Sequence, residues 1–220
     1  VPEFEWTKLL ISTNDDSIKG LSTGVDGSVY IAGETSVDEG DQQNINERNA
    51  FLSKFNLVGE KQWTKLLGSL EWDDYSSMQI GIDGSIYIGG YTVGNPDGFL
   101  TKYNFEGEEE WTTLLGPISW EDGIGIQTTL DGSIYISAEK GGSDFDGQTG
   151  VGGRDGFLSK YNSQGEKQWM TMLDVDFATT LEIGLDGFIY VAGSTSGDLD
   201  GQINNGNEDA FIIKVSTEGE

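Results

Sequence analysis

Residues 50–67 read AFLSKFNLVGEKQWTKLL, and the same phrase returns as GFLTKYNFEGEEEWTTLL (98–115) and GFLSKYNSQGEKQWMTML (156–173). A fourth copy, AFIIKVSTEGE (210–220), breaks off at its glycine, and the part it lacks stands at the other end of the chain as EFEWTKLL (3–10). Trp6, Trp63, Trp111 and Trp169 thus occupy one framework position, with separations of 57, 48 and 58 residues. From Trp169 there are 51 residues to Glu220 and six more to Trp6, another full period of 57. Fixed periods of this size mean solenoids, propellers or arrays. A unit divided between the two ends is expected to fasten a ring.

Each unit reads as four short strands, here A to D. Strands A and B flank an Asp-Gly in GVDGSVYIAGET (24–35), GIDGSIYIGGYT (81–92), TLDGSIYISAEK (129–140) and GLDGFIYVAGST (184–195). An Asp-Gly between β-rich runs marks a hairpin, because glycine accepts the positive φ that a tight turn requires. Strand B is continuously apolar (Val29, Tyr30, Ile31, Ala32), as a strand covered on both faces should be. Strand C is F-L-x-K-Y-N, a turn follows at Gly59, Gly107, Gly165 or Gly219, and strand D carries the tryptophan. Short strands in sets of four at this period describe propeller blades. A solenoid would want polar caps at its ends, and none is visible. The expected fold is all-β: a single propeller domain, 1–220, of four four-stranded blades. They run approximately 17–67, 76–115, 123–173 and 177–216, the last completed by residues 4–10 as its outer strand. The alternative is half of a larger, eight-bladed ring made by two chains.

These residues resemble the SBBP-type β-propeller repeat of bacteria, whose pattern runs roughly D-x-F-x-x-K-x-x-x-x-G-x-x-x-W and then D-x-x-G-x-x-Y-x-x-G-x-T. The likeness covers nearly the whole chain. It implies a propeller on an exported or surface-attached bacterial protein, extracellular or at the cell surface, with no general catalytic motif. The family is named for seven blades, whereas four copies stand here.

The net charge is −26, from 38 acidic and 12 basic residues. Such a field repels nucleic acid and anionic lipid, attracts cations and keeps a protein dispersed. No run of 18 apolar residues is present, so membrane insertion is not expected. The opening VPEFEW, without Met or the order of a signal peptide, reads as a mature or excised piece of a longer protein. Cysteine and histidine are both absent, which removes thiol chemistry, disulfides, the commonest general base and the commonest transition-metal ligand.

A–B and C–D turns share one face of a propeller, and B–C and D–A connections share the other. The first set is short and uniform. The second varies in length and composition, and binding residues concentrate in such loops. Two B–C loops, GGSDFDGQTGVGGR (141–154) and SGDLDGQINNGNE (196–208), share an acidic spacing: Asp144, Asp146 and Asp155 match Asp198, Asp200 and Asp209. Calcium wants six to eight oxygens, and these loops offer carboxylates, carbonyls and amides. Asp38 and Asp41 are a degraded copy, and Asp97 is all that remains of another. The competing reading is that these aspartates cap backbone N–H groups in Asx-turns without metal. Trp72, Asp73, Asp74, Trp120, Glu121 and Asp122 pair aromatics with acids in D–A loops, the combination that stacks on sugar rings and bonds their hydroxyls. The competing reading is that Trp72 and Trp120 pack between adjacent blades, as large amphipathic rings often do. Lys54, Lys102, Lys160 and Lys214 recur once per blade; catalysis needs a lysine once, so they read as structural.

The expected function is a non-catalytic binding or scaffold module with a protein or glycan partner on the B–C/D–A face, as monomer or homodimer. The alternatives are a carbohydrate-binding lectin and a carboxylate-dependent glycoside hydrolase.

Overall fold

A computed structural model describes residues 5–9, 16–36, 49–67, 73–92, 97–118, 123–141, 144–145, 148–149 and 154–219. The first sheet is β1 (Ser17–Thr23), β2 (Val29–Thr35), β3 (Asn49–Phe55) and β4 (Lys61–Leu67). The second is β5 (Asp73–Ile80), β6 (Ile86–Thr92), β7 (Asp97–Tyr103) and β8 (Glu109–Pro117). The third comprises β9 (Gly125–Thr128), β10 (Ile134–Gly141), β13 (Arg154–Tyr161) and β14 (Lys167–Met172). Between β10 and β13 lies a two-stranded hairpin, β11 (Asp144–Phe145) and β12 (Gln148–Thr149), within a stretch that reads as loop in the sequence. The fourth sheet has three strands, β15 (Phe177–Ile183), β16 (Ile189–Thr195) and β17 (Asp209–Val215). All strand pairs are antiparallel, and in each sheet neighbours in sequence are neighbours in space, as in propeller-like blades.

Two turns, repeated in every sheet, set this order. In the A–B turn Asp26 Oδ1 accepts the Ser28 N–H at 2.9 Å, and Gly27, at φ 76°, donates to the Gly24 carbonyl at 2.9 Å. Only glycine takes that backbone angle without strain. In the C–D turn Asn56 Oδ1 accepts the N–H groups of Val58 (3.1 Å) and Glu60 (2.9 Å). Asn104 and Asn162 repeat the arrangement. Beyond that turn the register is fixed: Lys54 faces Trp63, Lys102 faces Trp111 and Lys160 faces Trp169. Each tryptophan meets the tyrosine of strand B, with centroids 6.2, 6.3 and 6.0 Å apart for Tyr30, Tyr87 and Tyr135.

The core lies between sheets. Strand A of one sheet packs on strands B and C of the sheet before it. Met78 joins Tyr30 and Leu52, Ile126 joins Tyr87 and Leu100, and Leu181 joins Tyr135 and Leu158. Burying each leucine completely is worth about 1.5–3 kcal/mol. A second contact locks each junction at its rim. The strand-D tryptophan lies across the glycine of the next sheet's C–D turn, so a Cβ on Gly107 would come within 2.8 Å of Trp63 and one on Gly165 within 2.8 Å of Trp111. Trp111 Nε1 also donates to the Ser163 carbonyl at 3.2 Å.

The ends of the arc depart from expectation. Residues 4–10 were expected as a fourth strand beside β17, but among the described residues the last sheet ends at β17 and residues 5–9 are not in it. Trp6 instead donates to the Leu57 carbonyl at 3.2 Å and covers Gly59, so its local bonding is to the first sheet. This is the same contact that Trp111 makes with Ser163 and Gly165. Trp6 thus stands to the C–D turn of the first sheet as Trp111 stands to that of the third.

Candidate functional site

The strand-C lysines and turn aspartates form the most regular polar feature. Lys54 Nζ lies 3.5 Å from Asp26 and 5.1 Å from the Tyr30 ring centroid. Burial opposes its charge, but Tyr30 and Asp26 outweigh this and hold its pKa above the ordinary value. Lys214 Nζ is 2.7 Å from Asp186 Oδ2, which also accepts the Tyr190 hydroxyl at 2.8 Å. The Lys214 bond, then the Tyr190 bond, lower Asp186 to about 2. Asp26 is lowered first by the Ser28 N–H, and Asp131 first by the Thr129 hydroxyl. In the Lys54–Asp26 and Lys214–Asp186 pairs these shifts favour the charged form of both partners.

A cavity of about 720 Å³ opens where the inner strands end. Gln79, Gln127 and Glu182 hold one repeat position on β5, β9 and β15, and Gln127 Nε2 donates to Glu182 Oε2 at 2.7 Å. Asp131, Lys160 and Glu218 add charge, while Val25, Ile82 and Leu130 add apolar wall. This cavity faces the A–B turns, the opposite side from the loops singled out in the sequence. Uniform turns read as scaffold there; the available signal was the column Ser22, Gln79, Gln127, Glu182, polar at every copy.

On the other face, B–C and D–A loops do converge. Asp176 Oδ2 accepts both the Ser196 N–H (2.6 Å) and its hydroxyl (2.5 Å), tying the two loop types of the last sheet together. In the loop 196–208, Asp198 Oδ1 accepts the Asn204 N–H at 2.9 Å and Asp209 Oδ2 the Asn205 N–H at 3.0 Å. Asp200 sits at φ 47° in a tight turn closed by Leu199 and Gln202. These three carboxylates do not gather into a metal-holding group among the described residues. Two of them already serve as backbone caps. Asp155 is buried within β13, opposite Lys140, rather than in a loop. Asp144 is described only as backbone of β11, paired with Thr149, and Asp73 and Asp74 only as backbone of β5, paired with Thr92 and Tyr91. Trp72, Trp120, Glu121, Asp122 and Asp146 lie outside the described residues, as do Asp38 and Asp41.

No protein-family model matches the chain. It is 26% identical over 215 residues to the regulatory protein FlaEY of Caulobacter vibrioides, an alignment covering 92% of this chain and 18% of that protein. The chain therefore spans under a fifth of that relative's length. Among solved structures it is similar to the hydrazine synthase of Kuenenia stuttgartiensis, with a TM-score of 0.56 and 12% identity over 78% of this chain and 48% of that one. A luciferin-regenerating enzyme gives a TM-score of 0.50 and 11% identity, covering 91% of this chain and 61% of that one. At such identities the likeness concerns the fold: all-β and propeller-like.

Proposed function

We propose that this chain is a non-catalytic binding or scaffold module of propeller type, carried on an exported or surface bacterial protein of the SBBP-like kind. Its partner, protein or glycan, meets the loop face where Asp176 and Ser196 join. The observation that carries this reading is the repetition of titratable side chains. Lys54 with Asp26 and Lys214 with Asp186 perform the same structural task in different sheets, so neither pair is set apart as a catalyst. Similarity to a regulatory protein is in keeping with a role in binding. In the same reading, a segment of the EFEWTKLL type fills the place beside β17 and completes a ring, which removes exposed sheet edges. Calcium would order the loop 196–208 only by exchanging the Asn204 and Asn205 caps for metal bonds.

A glycan array and a polysaccharide-hydrolysis screen, run on one preparation, test the reading. Binding without product, unchanged in Glu182→Gln, is the expected outcome for a glycan partner, and silence in both assays for a protein partner. Turnover that Glu182→Gln abolishes would place a catalyst in the cavity at the ends of the inner strands and overturn it.

A further inference from the structure

Val25, Ile82, Leu130 and Leu185 hold one position of the repeat, the residue before Asp-Gly in each A–B turn, and all four are more than half exposed. The turn does not ask for an aliphatic residue there. Its geometry is met by the aspartate, which accepts the N–H two residues on, and by the glycine with its positive φ. The remaining place accepts most residues, and turns as a class favour polar ones. Ile82 and Leu130 stand in sheets that have a neighbour on each side, so their exposure belongs to the repeat and not to the ends of the arc.

Three of the four converge. Val25, Ile82 and Leu130 wall the cavity of about 720 Å³, within the range of about 300–1,000 Å³ that small-molecule sites occupy. Gln127 and Glu182 line it too. Gln127 Nε2 holds Glu182 Oε2 at 2.7 Å, and among the described residues Glu182 Oε1 accepts no hydrogen bond. Asp131 and Lys160 offset each other, for Asp131 is kept charged first by the Thr129 hydroxyl and the Ser133 N–H and further by Lys160. That lysine is also engaged elsewhere, 3.5 Å from the Thr217 carbonyl and 5.5 Å from the Tyr135 ring centroid. The charge left over is negative, Glu182 with Glu218, in a protein of net charge −26. A field of that sign concentrates cations.

We propose that this cavity binds an organic cation, a protonated amine or guanidinium against Glu182 with its hydrocarbon body on Val25, Ile82 and Leu130. The site lies on the face opposite the B–C and D–A loops and is independent of the partner placed there. An anion would meet Glu182 and Glu218. A sugar would set hydroxyls against three aliphatic side chains, and a bare metal ion would leave that wall unused.

Hexylamine, hexanol and hexanoate share one tail and differ in charge, so they test the head group alone. Methyl and side-chain amide NMR of the folded protein reads the site. Hexylamine should shift the Ile82 and Leu130 methyls and the Gln127 amide together. Hexanol should bind about tenfold more weakly, the loss of one charge-assisted hydrogen bond, and hexanoate more weakly still. Glu182→Gln should reduce hexylamine to the level of hexanol, and added salt should act in the same direction. Ile82→Ser with Leu130→Ser should weaken all three ligands. Leu185→Ser, at the same repeat position but outside the cavity lining, should weaken none. A blocked Leu-Lys-Leu tripeptide separates the sources of the cation. Binding tighter than hexylamine supports the site as one for a lysine side chain of a protein, and weaker binding supports it as one for a free amine. Equal shifts with hexylamine and hexanoate would overturn the proposal, as would hexylamine binding unchanged in Glu182→Gln. So would the absence of shifts at these residues at tens of millimolar hexylamine.

Discussion

Gly107→Ala and Gly187→Ala differ in one physical respect, which makes them a measurement of the junction between sheets. Both glycines are left-handed, at φ 74° and 79°, so alanine meets nearly the same backbone penalty at each. That penalty is about 1–2 kcal/mol. A Cβ on Gly187 meets nothing within 4 Å, whereas on Gly107 it lies 2.8 Å from Trp63 Cη2 and 3.1 Å from Lys65 Cγ. Forcing a methyl into a closed contact costs about 1–3 kcal/mol more. The expected losses are therefore about 1–2 kcal/mol for Gly187→Ala and about 2–5 kcal/mol for Gly107→Ala, against a usual total of about 5–15. Urea unfolding followed by far-ultraviolet circular dichroism reads both, with unchanged m-values as the sign that only stability moved. Trp63→Phe completes a double-mutant cycle: with the outer ring gone, Gly107→Ala should cost nearly what Gly187→Ala does. Equal losses for the two glycines on the wild-type background would refute the idea that the tryptophan lies closed over the turn.

Acid should weaken the last sheet in a defined window. Asp186 is lowered from 3.8 to about 2, so its stabilising contribution is complete above its ordinary value and is lost as pH falls through about 2. A carboxyl-carbon NMR titration should show that midpoint, and Lys214→Met should move it upward; a wild-type midpoint at the ordinary value would refute the assignment. For the loop 196–208, self-capping predicts equal melting temperatures in millimolar calcium and in chelator. A rise in calcium that Asp200→Ala abolishes would instead assign the loop to the metal, by about 2.7 kcal/mol at a hundredfold excess over Kd.

The sheets were legible in the sequence because local chemistry dictates them. The Asp-Gly turns are set by a φ that only glycine accepts, and the tryptophan frame sets the register against the lysines. What the sequence did not disclose was which surfaces end up facing each other. Leu21 and Met78 look equivalent in the repeat, yet one is bare and the other covered, since burial depends on a neighbouring sheet and not on the residue itself. The cavity at the ends of the inner strands was missed for a related reason: its lining is contributed in short runs by strands and turns about fifty residues apart. Aspartate spacing in a sequence does not reveal whether a carboxylate turns toward backbone N–H groups, as Asp198 and Asp209 do, or toward its neighbours.

The tryptophan contacts also impose an order of assembly. Trp6 reaches a carbonyl 51 residues further on, and Trp111 one 52 residues further on. Each outer strand is therefore latched only by chain that is synthesised later. At about 5–20 residues per second on the ribosome, a finished sheet waits about 3–10 seconds with its indole uncovered before the next turn arrives. Folding of this repeat then advances from the amino end as a ratchet, each sheet secured by its successor. The interval between them is when a nascent chain most exposes surface to a chaperone or to a neighbouring chain on the same messenger.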